Sequence, residues 1–189
     1  PRFKETAKRL WIVYVALTVI EMILLWFGDM TLFEAINHGF TTMSTGGYST
    51  NAGSMNAFSS YSQWVVIVFM ILAGTSFALH FRAMRNPAVY TKNTEVRVYL
   101  GVTLAAAVVM IVGTWGGSVH DTIRDALFTS ASMITTTGYG TADFGLWKPA
   151  LQIMIVGLMF VGGMAGSTAG SVKIYRHEVL YEASRVDIR

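Results

Sequence analysis

Four apolar runs dominate the chain, at positions 10–27, 64–81, 98–115 and 149–165, each of 17 or 18 residues. Wound as helix, such a run is roughly 26 Å long, close to the ~30 Å hydrocarbon core of a bilayer. Polar segments separate the runs, and the first lacks the layout of a cleavable signal peptide, so the pattern predicts four membrane spans. Two shorter apolar stretches, 31–43 and 122–134, sit between the first and second runs and between the third and fourth. At about 20 Å of helix they are too short to span and too apolar for an ordinary surface loop. Each opens on a capping-box-like pair, Thr31 with Glu34 and Thr122 with Asp125. Each is followed by a Ser/Thr/Gly run of poor helix formers, 44–50 and 135–141. One such segment reads equally as a surface amphipathic helix and a turn. Two at matched spacing predict a short helix that enters the membrane, stops part-way and returns as a non-helical strand. Such backbone is tolerated at membrane depth only inside protein or along a polar cavity.

The matched spacing is an internal repeat. A shift of 91 residues lays Thr31-Leu-Phe-Glu34-Ala35-Ile36 on Thr122-Ile-Arg-Asp125-Ala126-Leu127. It also lays Met43-Ser-Thr-Gly-Gly47-Tyr48-Ser-Thr50 on Ile134-Thr-Thr-Thr-Gly138-Tyr139-Gly-Thr141. From acid to glycine is 13 residues in both halves, and Trp26 and Trp115 stand near the ends of the corresponding first spans. A repeat fixes the architecture before any other feature. The expected fold is an all-α integral membrane protein of two tandem helix–pore-loop–helix (M1-P-M2) repeats resembling potassium-channel repeats. Residues 1–91 form the first, and residues 92–189 the second, with a glycine-rich break in its last helix.

Composition agrees with the bilayer reading. Hydrophobic residues are 53% of the 189 and charged ones 13%, against about 25% charged in a soluble domain, too few to coat a soluble globule. The net charge of +3 matters less than its placement. All Lys and Arg except Arg124 and Lys148 lie before the first run, between the second and third, or after the fourth. The positive-inside rule makes those three segments cytoplasmic and the stretches 28–63 and 116–148, with Asn56 and Gly117, external. A nucleic-acid-binding patch is the less economical use of this charge. On the external side Asp29, Glu34, Asp121, Asp125 and Asp143 face only two bases, which raises local cation concentration, although capping and solvation account for the same residues. Cysteine is absent, so no disulfide or thiolate metal site forms. No His/Asp/Glu spacing suits a transition metal and no nucleophile–base pair suggests an enzyme. The 11 methionines read as packing filler.

The repeated Ser/Thr/Gly segments suit a monovalent cation. K⁺ leaves water when backbone carbonyl oxygens replace its hydration shell, as in filters built from a TVGYG-type loop. Glycine supplies the unusual dihedrals. Thr135-Thr136-Thr137-Gly138-Tyr139-Gly140 fits closely and Ser44-Thr45-Gly46-Gly47-Tyr48-Ser49 more loosely. The candidate ion-binding residues are Thr45, Gly46, Gly47 and Tyr48 with Thr136, Thr137, Gly138 and Tyr139. The partial negative charge at the inner end of each short helix adds to the attraction. Elsewhere, Gly162, Gly166 and Gly170 are spaced by four; they form either a small-residue face for helix packing or a break in the fourth span. Glu21 lies inside the first span, where acids are functional candidates. Its equivalent in the second half is Val112, which favours a structural role, paired with a neighbouring helix or reaching an aqueous vestibule. His80 reads as an interfacial hydrogen-bonder.

These residues carry a family resemblance. The entry Glu5-Thr6-Ala7-Lys8-Arg9-Leu10-Trp11, both glycine loops, Leu79-His80-Phe81 and Gly162-Gly163-Met164-Ala165-Gly166-Ser167-Thr168-Ala169-Gly170 resemble the Trk/Ktr/HKT superfamily of potassium transporters, nearest its bacterial TrkH-type pore subunit. The resemblance implies four repeats around one pore, of which this chain looks like the second and third. Without an initiator Met and ending in Ile188-Arg189 just after a span, it reads as a fragment. Also implied are K⁺ as the transported ion with no organic cofactor, and uptake across the cell inner membrane with cytoplasmic termini and a cytoplasmic 82–97 loop. The partners implied are a cytosolic nucleotide-binding regulatory ring (TrkA-like) and a second pore subunit in a homodimer. The resemblance also makes 162–171 a loop crossing the pore beneath the filter, with Gly162, Gly163, Gly166, Ser167, Thr168 and Gly170 as its gate residues. Two other readings compete: a two-pore-domain-like K⁺ channel assembled from two chains, and a non-transporting membrane anchor.

Overall fold

The structure is a computed structural model that describes residues 2–116 and 118–187; Gly117, expected on the external side, lies outside them. The described residues form nine α-helices and two short 3-10 turns. The first half holds α1 (Arg2–Trp26), α2 (Leu32–Met43), α3 (Ser60–Ala73) and α4 (Phe77–Ala83); the short α5 (Ala88–Lys92) links the halves. The second half holds α6 (Thr94–Thr114), α7 (Val119–Ile134), α8 (Pro149–Leu158) and α9 (Ile174–Asp187). By length and composition, α1 from Lys4 and α6 can each cross a membrane. Their outward faces carry exposed apolar side chains such as Ile20, Ile23, Val108 and Val112, with Trp26 and Trp115 exposed at corresponding ends. That distribution suits lipid and an interfacial aromatic belt.

Two of the four expected spans are not straight helices. The run 64–81 is divided: α3 ends at Ala73, and α4 leaves at 99° after a break of three residues. A helix end leaves its last four carbonyls without intrahelical donors, and here each finds another. Ile71 O accepts from the hydroxyls of Thr75 (2.9 Å) and Tyr99 (3.2 Å), and Leu72 O from His80 Nε2 (2.9 Å). Ala73 O accepts from the Thr168 amide (3.4 Å), and Gly74 O from the Met164 amide (2.9 Å). A carbonyl only accepts, so the His80 proton sits on Nε2 and Nδ1 accepts from the Tyr90 hydroxyl at 2.6 Å. His80 is therefore a buried hydrogen-bonder that ties α3 to α5.

The run 149–165 is helical only to Leu158. Residues 159–173 form a loop pinched at its neck, where Val161 and Val172 bridge in parallel and Gly162 N–H bonds Val172 O at 2.9 Å. The fourfold glycine spacing thus makes no helix face, which corrects the packing alternative; close approach of main chains is the reason for the glycines. A Cβ on Gly162 would strike Gly170 O, and one on Gly163 would come 2.6 Å from Gly74 O.

The capping expectation holds in one half. Thr31 caps α2 with a complete box: Thr31 N–H donates to Glu34 Oε2 at 2.8 Å and Glu34 N–H to Thr31 Oγ1 at 3.3 Å. In the second half α7 begins at Val119, so Thr122 lies inside the helix and makes no box with Asp125. Asp125 instead pairs with Arg124, 3.2 Å away. Buried clusters then join the elements. Val66, Ile67 and Met70 of α3 pack with Phe128 and Ala131 of α7 and with Tyr139. Tyr99, Met110, Ile134, Ile155, Met164 and Ile174 pack around α6 and α7.

Candidate functional site

The two Ser/Thr/Gly segments follow the C-termini of α2 and α7, and the backbone repeats in them bond for bond. Thr45 and Thr136 have φ of 54° and 58°, and Gly47 and Gly138 have 65° and 86°. At both glycines the left-handed conformation accounts for the residue type. Thr41 O accepts from the amides of Gly46 and Gly47 (2.8 and 3.2 Å), as Ser132 O does from Thr137 and Gly138 (3.0 and 3.4 Å). The Thr41 hydroxyl reaches Tyr48 O at 2.9 Å, and the Ser132 hydroxyl reaches Tyr139 O at 2.7 Å. With the amides turned toward the short helices, the carbonyls of Thr45, Gly46, Gly47, Thr136, Thr137 and Gly138 accept no hydrogen bond from any described residue. They form two matched rows of free acceptors beside the negative ends of two helix dipoles. The rows lie side by side: a side chain on Gly47 would run into Thr137 O. Thr136 and Gly138 also line a cavity of about 530 Å³ with Ser132, Met159, Phe160 and Ser171.

The structure treats Tyr48 and Tyr139 differently from the other six expected ligand residues. Their carbonyls are taken by Thr41 and Ser132. The rings also part company. Tyr139 is fully buried, edged by His38, with its hydroxyl 2.5 Å from Thr41 Oγ1, whereas Tyr48 is 78% exposed. Thr41 and Ser132 are therefore structural parts of the site that the spacing alone did not single out; the signal for them was the hydroxyl at the same place in both halves.

The loop 159–173 lies against the ends of both glycine segments at Thr45 and Thr136. Gly170 N–H donates to Thr136 Oγ1 at 2.6 Å, the Thr45 hydroxyl donates to Thr168 O at 3.0 Å, and the Thr168 hydroxyl donates to Met43 O at 2.9 Å. Lys173 Nζ bonds Ser167 O and Ser167 Oγ (3.4 and 3.3 Å) and also Ala169 O, so all three ammonium donors point into the loop. Of the residues expected in this loop, Thr168 and Gly170 touch the glycine segments, Gly162 and Gly163 make the neck, and Gly166 takes φ of 78° at the crown. Ser167 is held within the loop by its bond to Met164 O at 2.7 Å.

Glu21 is placed otherwise than its two expected roles. It is fully buried between α1 and α2, and neither carboxyl oxygen has a hydrogen-bond partner among the described residues; the Thr42 side chain faces it short of hydrogen-bond geometry. It reaches no vestibule and pairs with no neighbour. Just past the end of α1, Asp29 joins α1 to α3, accepting from Ser59 N (2.7 Å), Ser59 Oγ (2.6 Å) and Ser62 Oγ (2.5 Å). Partial burial pushes the Asp29 carboxyl up, but these bonds outweigh it and hold it below the usual aspartate value. Among the described residues no cluster of His, Cys, Asp or Glu could hold a metal ion.

Known proteins share this arrangement over the whole length. The family model of TrkH, a cation transport protein, matches residues 1–107 and 116–189. The Trk system potassium uptake protein TrkH of Salmonella typhimurium is 35% identical over 196 residues, which cover 100% of this chain and 41% of that protein. The Trk system potassium uptake protein TrkG of Escherichia coli K12 is 29% identical, over 100% of this chain and 40% of its own. The crystal structure of the potassium transporter TrkH from Vibrio parahaemolyticus superposes with a TM-score of 0.93 at 33% identity, covering 100% of this chain and 42% of that one. The chain thus spans about two fifths of the length of these relatives. With two matched glycine loops, a loop docked against both and a family match across nearly every residue, the chain belongs to the TrkH family of cation transport proteins.

Proposed function

We propose that residues 1–91 and 92–189 are two helix–pore-loop–helix repeats of a potassium uptake protein, and that the free carbonyls of Thr45, Gly46, Gly47, Thr136, Thr137 and Gly138 are part of its selectivity filter. The observation that carries this reading is the duplication of three unbonded carbonyls at one offset, each row behind a short helix. Carbonyls left free together at membrane depth are costly unless something replaces water around them, and a partly dehydrated cation does so. Tyr48 and Tyr139 support the filter from behind rather than through their carbonyls. The loop 159–173, at the inner end of both rows, is the gate, and the action is transport rather than catalysis.

Further repeats complete the filter. Tyr139 of one half is received by Thr41 of the other, while the ring of its equivalent, Tyr48, stands 78% exposed; a preceding repeat with a hydroxyl at the Thr41 position fits it. The relatives named above are Trk system potassium uptake proteins, which supports K⁺ as substrate; inner-membrane location, a cytosolic nucleotide-binding ring and a homodimer of pore subunits are what the family resemblance implies. The basic stretches 82–97 and 173–189 are the cytoplasmic surface for that ring.

The test uses the full-length protein in liposomes. Gly138→Ser is expected to lower the Rb⁺ over Na⁺ uptake ratio; an unchanged ratio overturns the filter assignment. Cysteines placed singly at Arg85, Lys92 and Arg176 are expected to be shielded from an impermeant external thiol reagent, and one at Asn56 labelled. External labelling at Lys92 overturns the orientation.

A further inference from the structure

Ala165 and Gly166, at the crown of the 159–173 loop, are gripped from the segment that joins the two halves. Glu95, in the first turn of α6, accepts the Ala165 amide with Oε1 at 2.6 Å. The next residue is held from α4, whose first amide, Phe77 N–H, donates to Gly166 O at 3.1 Å. Both anchors belong to one elbow. His80 of α4 bonds Tyr90 of α5, Leu79 and Val96 share a buried cluster with Val89, Tyr90 and Val161, and Asn93 caps α6 by accepting the Val96 amide at 3.0 Å. The elbow therefore moves as a unit and carries two adjacent hands on the loop.

An acid in a first helical turn ordinarily needs no further explanation, since it complements the helix dipole. Glu95 departs from that use because its carboxylate reaches across 70 residues of sequence to a backbone amide. Charge-assisted bonds of this kind are among the stronger ones. The Ala165 crown is exposed, so no packed side chain holds it in Glu95's stead, and Glu95 also lies within electrostatic reach of Lys173, whose ammonium binds the same loop from inside.

We propose that Glu95 is the positioning residue that keeps the 159–173 loop against the filter, and that displacement of the 77–95 elbow is the movement that withdraws it. The proposal rests on the reading of that loop as the gate. The Ala165 amide is the point of grip and the carboxylate the part that matters. Glu95→Gln keeps an acceptor oxygen and Glu95→Ala keeps none, so the two variants grade the bond without touching the filter.

Two readouts on the full-length protein in liposomes separate this proposal from the one beneath it. Amide hydrogen exchange over 162–172 reports the grip whether or not the protein transports K⁺. Glu95→Ala is expected to speed that exchange, with Glu95→Gln between it and the parent. Rb⁺ flux per folded molecule is expected to rise roughly tenfold or more in Glu95→Ala, the factor one charge-assisted bond supplies to a two-state equilibrium, while the Rb⁺ to Na⁺ ratio stays unchanged. Unaltered exchange in Glu95→Ala overturns the grip. Faster exchange with unchanged or lower flux per folded molecule overturns its role in holding the loop closed.

Discussion

The hydroxyl of Tyr139 lies 2.5 Å from Oγ1 of Thr41, although 98 residues separate them in the chain. Thr41 has one proton, and carbonyls stand within reach at Asn37 (2.9 Å) and Tyr48 (2.9 Å). Tyr139 must therefore donate to Thr41 if Thr41 is to donate to Tyr48 O. The two glycine loops are joined through two hydroxyls, from the ring of one to the main chain of the other.

Cutting that relay should disturb both loops together. Thr41→Val is expected to cost about 1–3 kcal/mol of stability, the penalty for orphaning buried partners, and to lower the Rb⁺ over Na⁺ ratio; Thr41→Ser should restore most of both. Thermal unfolding and two-ion uptake measured on the same preparations check it. Equal ratios for Thr41→Val and the parent would show that the relay does not bear on the ion path.

The two left-handed glycines are expected to differ in tolerance. A Cβ at Gly138 meets nothing within 4 Å, so Gly138→Ala suffers only the backbone penalty, about 1–2 kcal/mol. At Gly47 the Cβ meets Thr137 O as well, and the neighbouring strand must shift. Gly47→Ala should therefore lower Tm more than Gly138→Ala does, a ranking that a melting series in detergent reads directly.

Asp29 predicts a pH dependence of stability. Its folded value is held below that of the unfolded chain, so its contribution is fully present above the ordinary aspartate value near 3.8 and disappears as pH falls through the lowered one. Asp29→Asn should reduce Tm at neutral pH, with the gap from the parent closing only in acid below about pH 4. A gap that stays constant from pH 7 to 3 would assign the effect to packing.

Glu21 predicts a substitution that helps. A buried carboxyl with both oxygens unpartnered contributes little that an apolar side chain of similar size would lack, and replacing such a group is often neutral or stabilising. Glu21→Leu should melt at the parent's temperature or above. A marked fall in Tm would mean that the carboxyl makes a bond, through water or its own proton, that outweighs its burial.

The repeat was legible because it is written in side chains that the fold needs twice: Gly47 and Gly138 at left-handed turns, a hydroxyl at Thr41 and Ser132. Where the halves diverge, the reading diverged. Asp125 answers to Arg124, so the pattern of a box at Thr122 formed none. The break in α3–α4 was hidden because Gly74, Thr75 and Ser76 are too short a stretch to interrupt the apolar run from Trp64 to Phe81, and hydropathy does not register a bend. The 91-residue shift, applied to the glycine-rich stretch, would have revealed it: Ala165, Gly166 and Ser167 fall on Gly74, Thr75 and Ser76. The satisfying partners of the orphan carbonyls at that break are tertiary, in Tyr99, His80, Met164 and Thr168, and no local signal announces them. Glu21 stood out as an acid in a span, but its isolation depends on what α2 turns toward it.

On the proposed reading of the 159–173 loop as the gate, the neck that pinches it sets the pace at which the pathway changes state. Because Gly162 and Val172 are bonded across the base, the crown can swing away while the neck, α8 and α9 stay folded. The barrier to motion then lies in a handful of peripheral bonds, to Thr45, Thr136, Ala73, Gly74, Glu95 and Phe77, rather than in melting a segment. Displacement of a preformed loop belongs to microseconds or milliseconds, whereas local unfolding extends to seconds. Conductance through this family member should accordingly flicker rather than switch slowly, with dwell times that lengthen or shorten one bond at a time.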